Sequence, residues 1–232
     1  MEAAGSKAIA AAVAKSALAR LSPEARARLL DTAHRVDLPP GGHLFDEDSP
    51  PRLGLLISGV TRGYRTLPDG RQLTFFYDHA GSLPGLVLAF GRRAPGTVEA
   101  LTQSTVMLFP VDVVRALLQS DGDAALVLTE EFATRAIRMI EELTGHVMGS
   151  LRERVGHHLL ASAVISPRLR LVAELTQQDI ADATGAARES VSRTLRDLER
   201  DGVIKIRPRR IEVLNADALC PNPASRPLAM IS

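Results

Sequence analysis

The chain has 232 residues, a formal net charge of +1, 45% apolar and 24% charged residues, and no tryptophan. Its length fits one large domain or two ordinary ones, and its composition is that of a globular protein. No apolar run reaches the roughly 18–20 residues a membrane span needs. One cysteine, Cys220, cannot form an intramolecular disulfide, a CxxC redox pair or a cysteine-ligated iron–sulfur cluster, and the cytoplasm is the expected compartment.

The Ala-rich start, "MEAAGSKAIAAAVAKSALAR", reads as a helix and not as a secretory signal. Ser22-Pro23-Glu24 supplies a cap, a first-turn proline and an acidic first turn for another. From about 34 to 110, short apolar runs alternate with Gly, Pro and Asp, the texture of an antiparallel β-roll or small barrel. Pro68-Asp69-Gly70 is a hairpin turn, and Gly59 and Gly63 mark bends or bulges. A long helix should then run from Asp121 to Met148. Ala133, Ile137, Ile140, Thr144 and Val147 recur on it at alternating spacings of four and three, the seam of a short two-stranded coiled coil. Phe132, Met139 and Leu143 lie off that seam and would face the roll, while burial of both rows inside one subunit is the plainer alternative.

Gly149 breaks the long helix, and Ser150-Leu151-Arg152-Glu153 is a capping box that starts the next one, running to about Ala163. Gly149 and Ser150 are therefore a candidate hinge. Pro167 marks another break. Thr176, with Asp179 three residues on, caps a short helix that Gly185 ends; a second helix runs from about Ala187 to Arg200 and Gly202 closes it. "VIKIRPRRIEV" reads as two short strands around Pro208-Arg209, and the Pro-containing tail from Asn215 as loosely ordered. The boundaries expected are 1–120 for the N-terminal helices and roll, 121–149 for the long helix, and 150–232 for the C-terminal domain and tail.

Two short helices joined by a tight turn, with Ala181 and Gly185 where they cross, make a helix-turn-helix. Ile180, Val191, Leu195 and Leu198 form its buried stripe. Arg188, Glu189, Ser192 and Arg193 are then left on the outer face, where they would enter a major groove. Arginine suits the O6/N7 pair of guanine and glutamate accepts from cytosine N4. Thr176, Gln178, Ala187 and Ser190 are placed for phosphate oxygens, and Lys205, Arg207, Arg209 and Arg210 would form a basic wing over the backbone. An isolated "RESVSR" would more simply be a solvated face of paired charges. The capped first helix, the small residues at the crossing and the basic hairpin turn the reading toward DNA.

"LTQQDIADATGAARESVSRTLRDLERDGVI" resembles the winged helix-turn-helix of the cyclic AMP receptor protein/fumarate-nitrate reduction regulator (Crp/Fnr) family. "GGHLFDEDSPPRLGLLISGVTRGYRTLPDGRQLTFFYDHAGS" resembles that family's effector-binding roll, and the long helix is placed like its dimerisation helix. The resemblance implies an α+β fold: a cyclic-nucleotide-binding-like β-roll, a dimerisation helix and a C-terminal winged helix-turn-helix. It also implies a homodimeric transcription regulator that reads a two-fold symmetric DNA site, with RNA polymerase as a further partner and no enzymatic activity. Arg188, Glu189 and Arg193 match the base-reading positions of the cyclic AMP receptor type, and Glu189, Ser192 and Arg193 those of the oxygen-regulator type, so the half-site sequence stays open.

In cyclic-nucleotide-binding relatives, a Glu holds the ribose and an Arg-Ser pair binds the phosphate. The matching stretch here, Gly81 to Ala100, carries Leu86 at the first position and Ala94-Pro95 at the second. An effector other than cyclic AMP is therefore expected, with Arg92 and Arg93 as the nearest cations. Leu86, Val87, Leu88, Phe90, Met139 and Ile140 suggest an apolar pocket for a hydrophobic ligand, for haem, or for core packing alone. His34, His43, His79, His146, His157 and His158 form no metal-ligand spacing, although His43 and His79 in the roll stay open as haem or metal ligands. No GxSxG, Walker or GxGxxG motif supports an enzyme. The competing reading is a ligand-binding or protein-interaction module without DNA readout.

Overall fold

A computed structural model of the chain describes residues 2–68, 70, 72–90, 93–147, 149–166 and 170–219, with backbone alone at 2–4 and 141–147. Asp69, Arg92, Met148, Pro167, Cys220 and the tail beyond lie outside the described residues, as do the side chains of Leu143, Thr144, His146 and Val147. The chain forms two compact units, residues 1–63 with 78–136, and residues 64–77 with 137–232.

The first unit opens with α1 (Glu2–Lys15), a 3-10 turn (Ala17–Arg20) and α2 (Pro23–Asp31). Ser22 caps α2 through its hydroxyl, which accepts from the Ala25 amide at 3.1 Å. The roll strands follow: β1 (His34–Leu38), β2 (His43–Phe45), β3 (Arg52–Ser58), β4 (Thr61–Thr66) and β5 (Gln72–Asp78). The single turn α3 (Leu86–Ala89) precedes β6 (Thr97–Ala100) and β7 (Ser104–Pro110). One sheet has the order β1-β7-β3 and another β2-β6-β4-β5. Gly59 has a φ of 91°, as a bend requires. Gly63 lies inside β4 and has no positive φ.

Strand β3 is buried on both faces, which is why "LGLLI" is apolar without alternation. Leu53, Leu55 and Ile57 join Leu18, Leu29, Leu83, Phe109 and Leu128 in the core of this unit. Leu56, opposite Val106 in the ladder, is fully buried on the other side. Helix α4 (Val111–Ser120), which the sequence reading did not separate from its surroundings, buries Val114 and Leu117 in the same core. Asp121 then caps α5 (Gly122–Val147), its carboxylate accepting from the Ala124 amide at 2.9 Å. Arg135 of α5 holds the buried Asp78 at 2.7 Å.

In the second unit, α6 (Leu151–Ser162) starts at the expected capping box: the Ser150 amide donates to Glu153 Oε2 at 2.7 Å and the Glu153 amide to Ser150 Oγ at 3.3 Å. All residues from Val155 to Ser162 are buried, so α6 is an interior helix rather than an amphipathic one. Strands β8 (Val164–Ile165) and β9 (Leu171–Ala173), helices α7 (Gln177–Thr184) and α8 (Arg188–Arg200), strands β10 (Ile204–Arg207) and β11 (Arg210–Val213), and the turn α9 (Ala216–Leu219) complete it. The sheet order is β10-β11-β9-β8. Gly156 admits α9: a Cβ there would sit 2.3 Å from the Leu219 carbonyl oxygen. Nδ1 of the buried His158 lies 2.9 Å from the Tyr77 hydroxyl.

Candidate nucleic-acid interface

The helix pair is set by local chemistry. Thr176 caps α7, and its amide and hydroxyl both donate to Asp179 Oδ2 at 2.7 Å. Gly185 ends α7 with a φ of 63°, a left-handed conformation that glycine adopts without steric penalty. The Ala186 amide reaches back to the Ala181 carbonyl at 3.1 Å, which fixes the turn. Ile180, Val191, Leu195 and Leu198 are fully buried, as the stripe requires. At ~1.5–3 kcal/mol per fully buried aliphatic side chain, this stripe orients the helix. Arg188, Glu189, Ser190 and Arg193 are exposed on the other side and Ser192 is half-buried.

Arg188, Glu189, Ser192 and Arg193 line one shallow groove together with Gln177 and Arg196. The last two were not among the expected residues. Arg196 stands four residues after Ser192, so the helical period carried that signal. A second cleft of about 400 Å³ opens beside it, lined by Thr176, Gln178, Arg188, Arg207 and Arg209 over an apolar floor of Leu175, Leu195, Ile206 and Ile211. Arg188 borders both. The wing is held to α8 by the Ile206 amide, which donates to Glu199 Oε1 at 2.8 Å.

Several expected backbone contacts are already engaged within the chain. Both Thr176 donors serve Asp179, and Gln178 Nε2 donates to Asp182 Oδ1 at 2.7 Å. Arg210 pairs with the buried Glu212 at 2.9 Å, and Arg170 with the same carboxylate at 3.0 Å. Burial opposes ionisation of Glu212, but the hydrogen bonds from Arg170 and Arg210 outweigh it and hold its pKa below the usual carboxylate value. Among the described residues no salt bridge engages Arg188, Arg193, Arg196, Lys205, Arg207 or Arg209. These six cations are exposed without an ion pair, whereas the exposed Arg170, Arg200 and Arg210 are paired. Arg209 at the wing tip has a φ of 56°, and no other described non-glycine residue has a positive φ.

The expected effector pocket divides differently. Leu86 is 2% exposed and belongs to the core of the first unit, as the core-packing alternative has it; Leu88 is likewise buried. Val87 is half-buried and Arg93 exposed. Phe90 is exposed and meets Phe132 edge-on at 5.6 Å, so Phe132 does pack toward the roll residues. Met139 and Ile140 belong to the second unit. On α5, Ala133, Ile137 and Ile140 are exposed, and Leu126 extends the same row. Among the described residues no group of three or more His, Cys, Asp or Glu could hold a metal, and no helix is long and apolar enough to cross a membrane.

Residues 153–221 match the model of the Crp-like helix-turn-helix domain and residues 35–121 that of the cyclic nucleotide-binding domain. The chain is 34% identical over 170 residues to the transcriptional regulator LdrP of Thermus thermophilus, covering 71% of this chain and 83% of that protein. It is 28% identical over 207 residues to the CRP-like cAMP-activated global transcriptional regulator of Mycobacterium tuberculosis, covering 86% and 92%. A solved CRP-family regulator from Thermus thermophilus shares the fold with a TM-score of 0.67 at 24% identity, over 81% of this chain and 97% of that one.

Proposed function

The chain belongs to the Crp/Fnr family of DNA-binding transcription regulators, not to an enzyme family, and on that premise we propose that it acts as a homodimer reading a two-fold symmetric site under control of an effector. One observation carries the DNA readout: the uncompensated arginines of α8 share a single groove with Glu189 and Ser192. Arg188, Glu189, Ser192 and Arg193 read base edges. Ala187, Ser190, Lys205, Arg207 and Arg209 meet the phosphate backbone, with Thr176 and Gln178 lining the cleft beside it and Arg210 held by Glu212. Residues 1–120 sense, 121–149 pair two subunits, and 150–232 bind DNA, with Gly149 and Ser150 as the hinge. RNA polymerase is the partner such a regulator addresses, in the cytoplasm. Arg193→Ala should weaken the specific complex by ~1–3 kcal/mol and relax preference at one base pair. An unchanged footprint at the operator would remove Arg193 from the groove.

We infer an effector other than cyclic AMP. Leu86, where relatives carry a ribose-binding Glu, is packed in the core, and Ala94-Pro95 offer no cation to a phosphate. A desolvated phosphate without a charge-assisted partner binds poorly. Calorimetric titration with cyclic AMP and cyclic GMP should give no saturable heat at millimolar ligand. Micromolar binding of either would contradict this and direct attention to Arg92 or Arg93.

A further inference from the structure

The groove on α8 extends beyond its base-reading residues. Arg196 is exposed, and its Nε donates to the Ser192 carbonyl at 3.3 Å, which draws the guanidinium back along the helix toward the groove. Four residues further on, Arg200 is neutralised by Asp197 at 2.8 Å. The uncompensated cationic face therefore stops at Arg196. Eight residues separate it from Arg188, which borders the backbone-facing cleft at the other end. At 1.5 Å per residue they span ~12 Å of helix axis. The B-DNA major groove is ~12 Å wide.

We propose that Arg196 binds a phosphate of the strand opposite the one held by the cleft, so that each recognition helix is clamped at both walls of the major groove. This rests on the DNA reading above and adds a residue to it. Arg188, at the edge of the cleft, and Glu189, Ser192 and Arg193 lie between the phosphate held by the cleft and the one held by Arg196, and those two contacts set the depth at which the four meet base edges. A phosphate contact carries no sequence information, so Arg196 acts on affinity and salt dependence and leaves base preference alone.

The test uses the full-length protein and its selected operator, with affinity measured across a salt series. Arg196→Ala should weaken binding on the order of tenfold, as loss of a charged hydrogen bond does. It should reduce the slope of log affinity on log salt by about 0.9, with the ranking of operator variants unchanged. Arg196→Lys should recover most of the slope, and Arg200→Ala should match the wild type. A wild-type slope in Arg196→Ala, or an altered base preference, overturns the proposal alone. A wild-type protein that prefers no sequence overturns the DNA reading and this proposal with it.

Discussion

Arg209 combines two properties that a single substitution separates. Its φ of 56° is unfavourable for any residue with a Cβ, by about 1 kcal/mol. It also lines the cleft that Arg188 and Arg207 border. Arg209→Gly relieves the backbone and deletes the charge. Folding stability should rise by up to about 1 kcal/mol, read as a denaturation midpoint. Affinity for all DNA sequences should fall together, with a flatter salt dependence. Unchanged affinity would take the wing tip off the DNA backbone. A loss of stability would show that its side chain, not its conformation, holds the hairpin. Pro208 before it presets the turn, and the only other described residues with positive φ are glycines.

At the scale of elements, α5 is the one to which we assign the pairing of two subunits. Leu126, Ile137 and Ile140 are 57%, 55% and 63% exposed, and they fall on one face at helical spacing. A row of large apolar side chains left in water is a docking face. A second copy is the occupant proposed, since the same row then meets itself across a two-fold axis. Ile137→Asp would set like charges against each other at that axis. Sedimentation should give a monomer, with operator affinity lost; an intact dimer would place the seam elsewhere.

Elements with local signals were legible in the sequence. The capping boxes at Ser150 and Thr176, Gly185 and the stripe of α8 each state their geometry within a few residues, and the structure places them as read. Helix α4 was not legible because Pro110 ends β7 and caps the helix in one residue, with no side-chain cap to announce it. The effector residues were the least legible. A run such as "LPGLVLAF" can line a pocket or fill a core with the same residues, and only packing decides. Packing put Leu86 in the core. Thr176 carried two readings at once, a cap closed by Asp179 and a donor to a phosphate, and the structure gives its hydroxyl to Asp179.

For the whole molecule, function needs two recognition helices presented together. On the proposed reading each α8 engages one half-site, and a pair of α5 helices with a hinge at Gly149 would set the spacing between the two. On the same proposal, an effector in the roll would act by shifting the population toward the arrangement that matches one helical repeat of DNA. Sequence-specific binding by a symmetric dimer is the claim on which the rest depends. The most direct measurement is selection of bound duplexes from a random pool, followed by sequencing of those retained by the full-length protein. We expect an inverted repeat whose half-site centres lie ~10–10.5 base pairs apart, or a multiple of that. A pool without any enriched motif, or one enriched in a single unrepeated site, would contradict it.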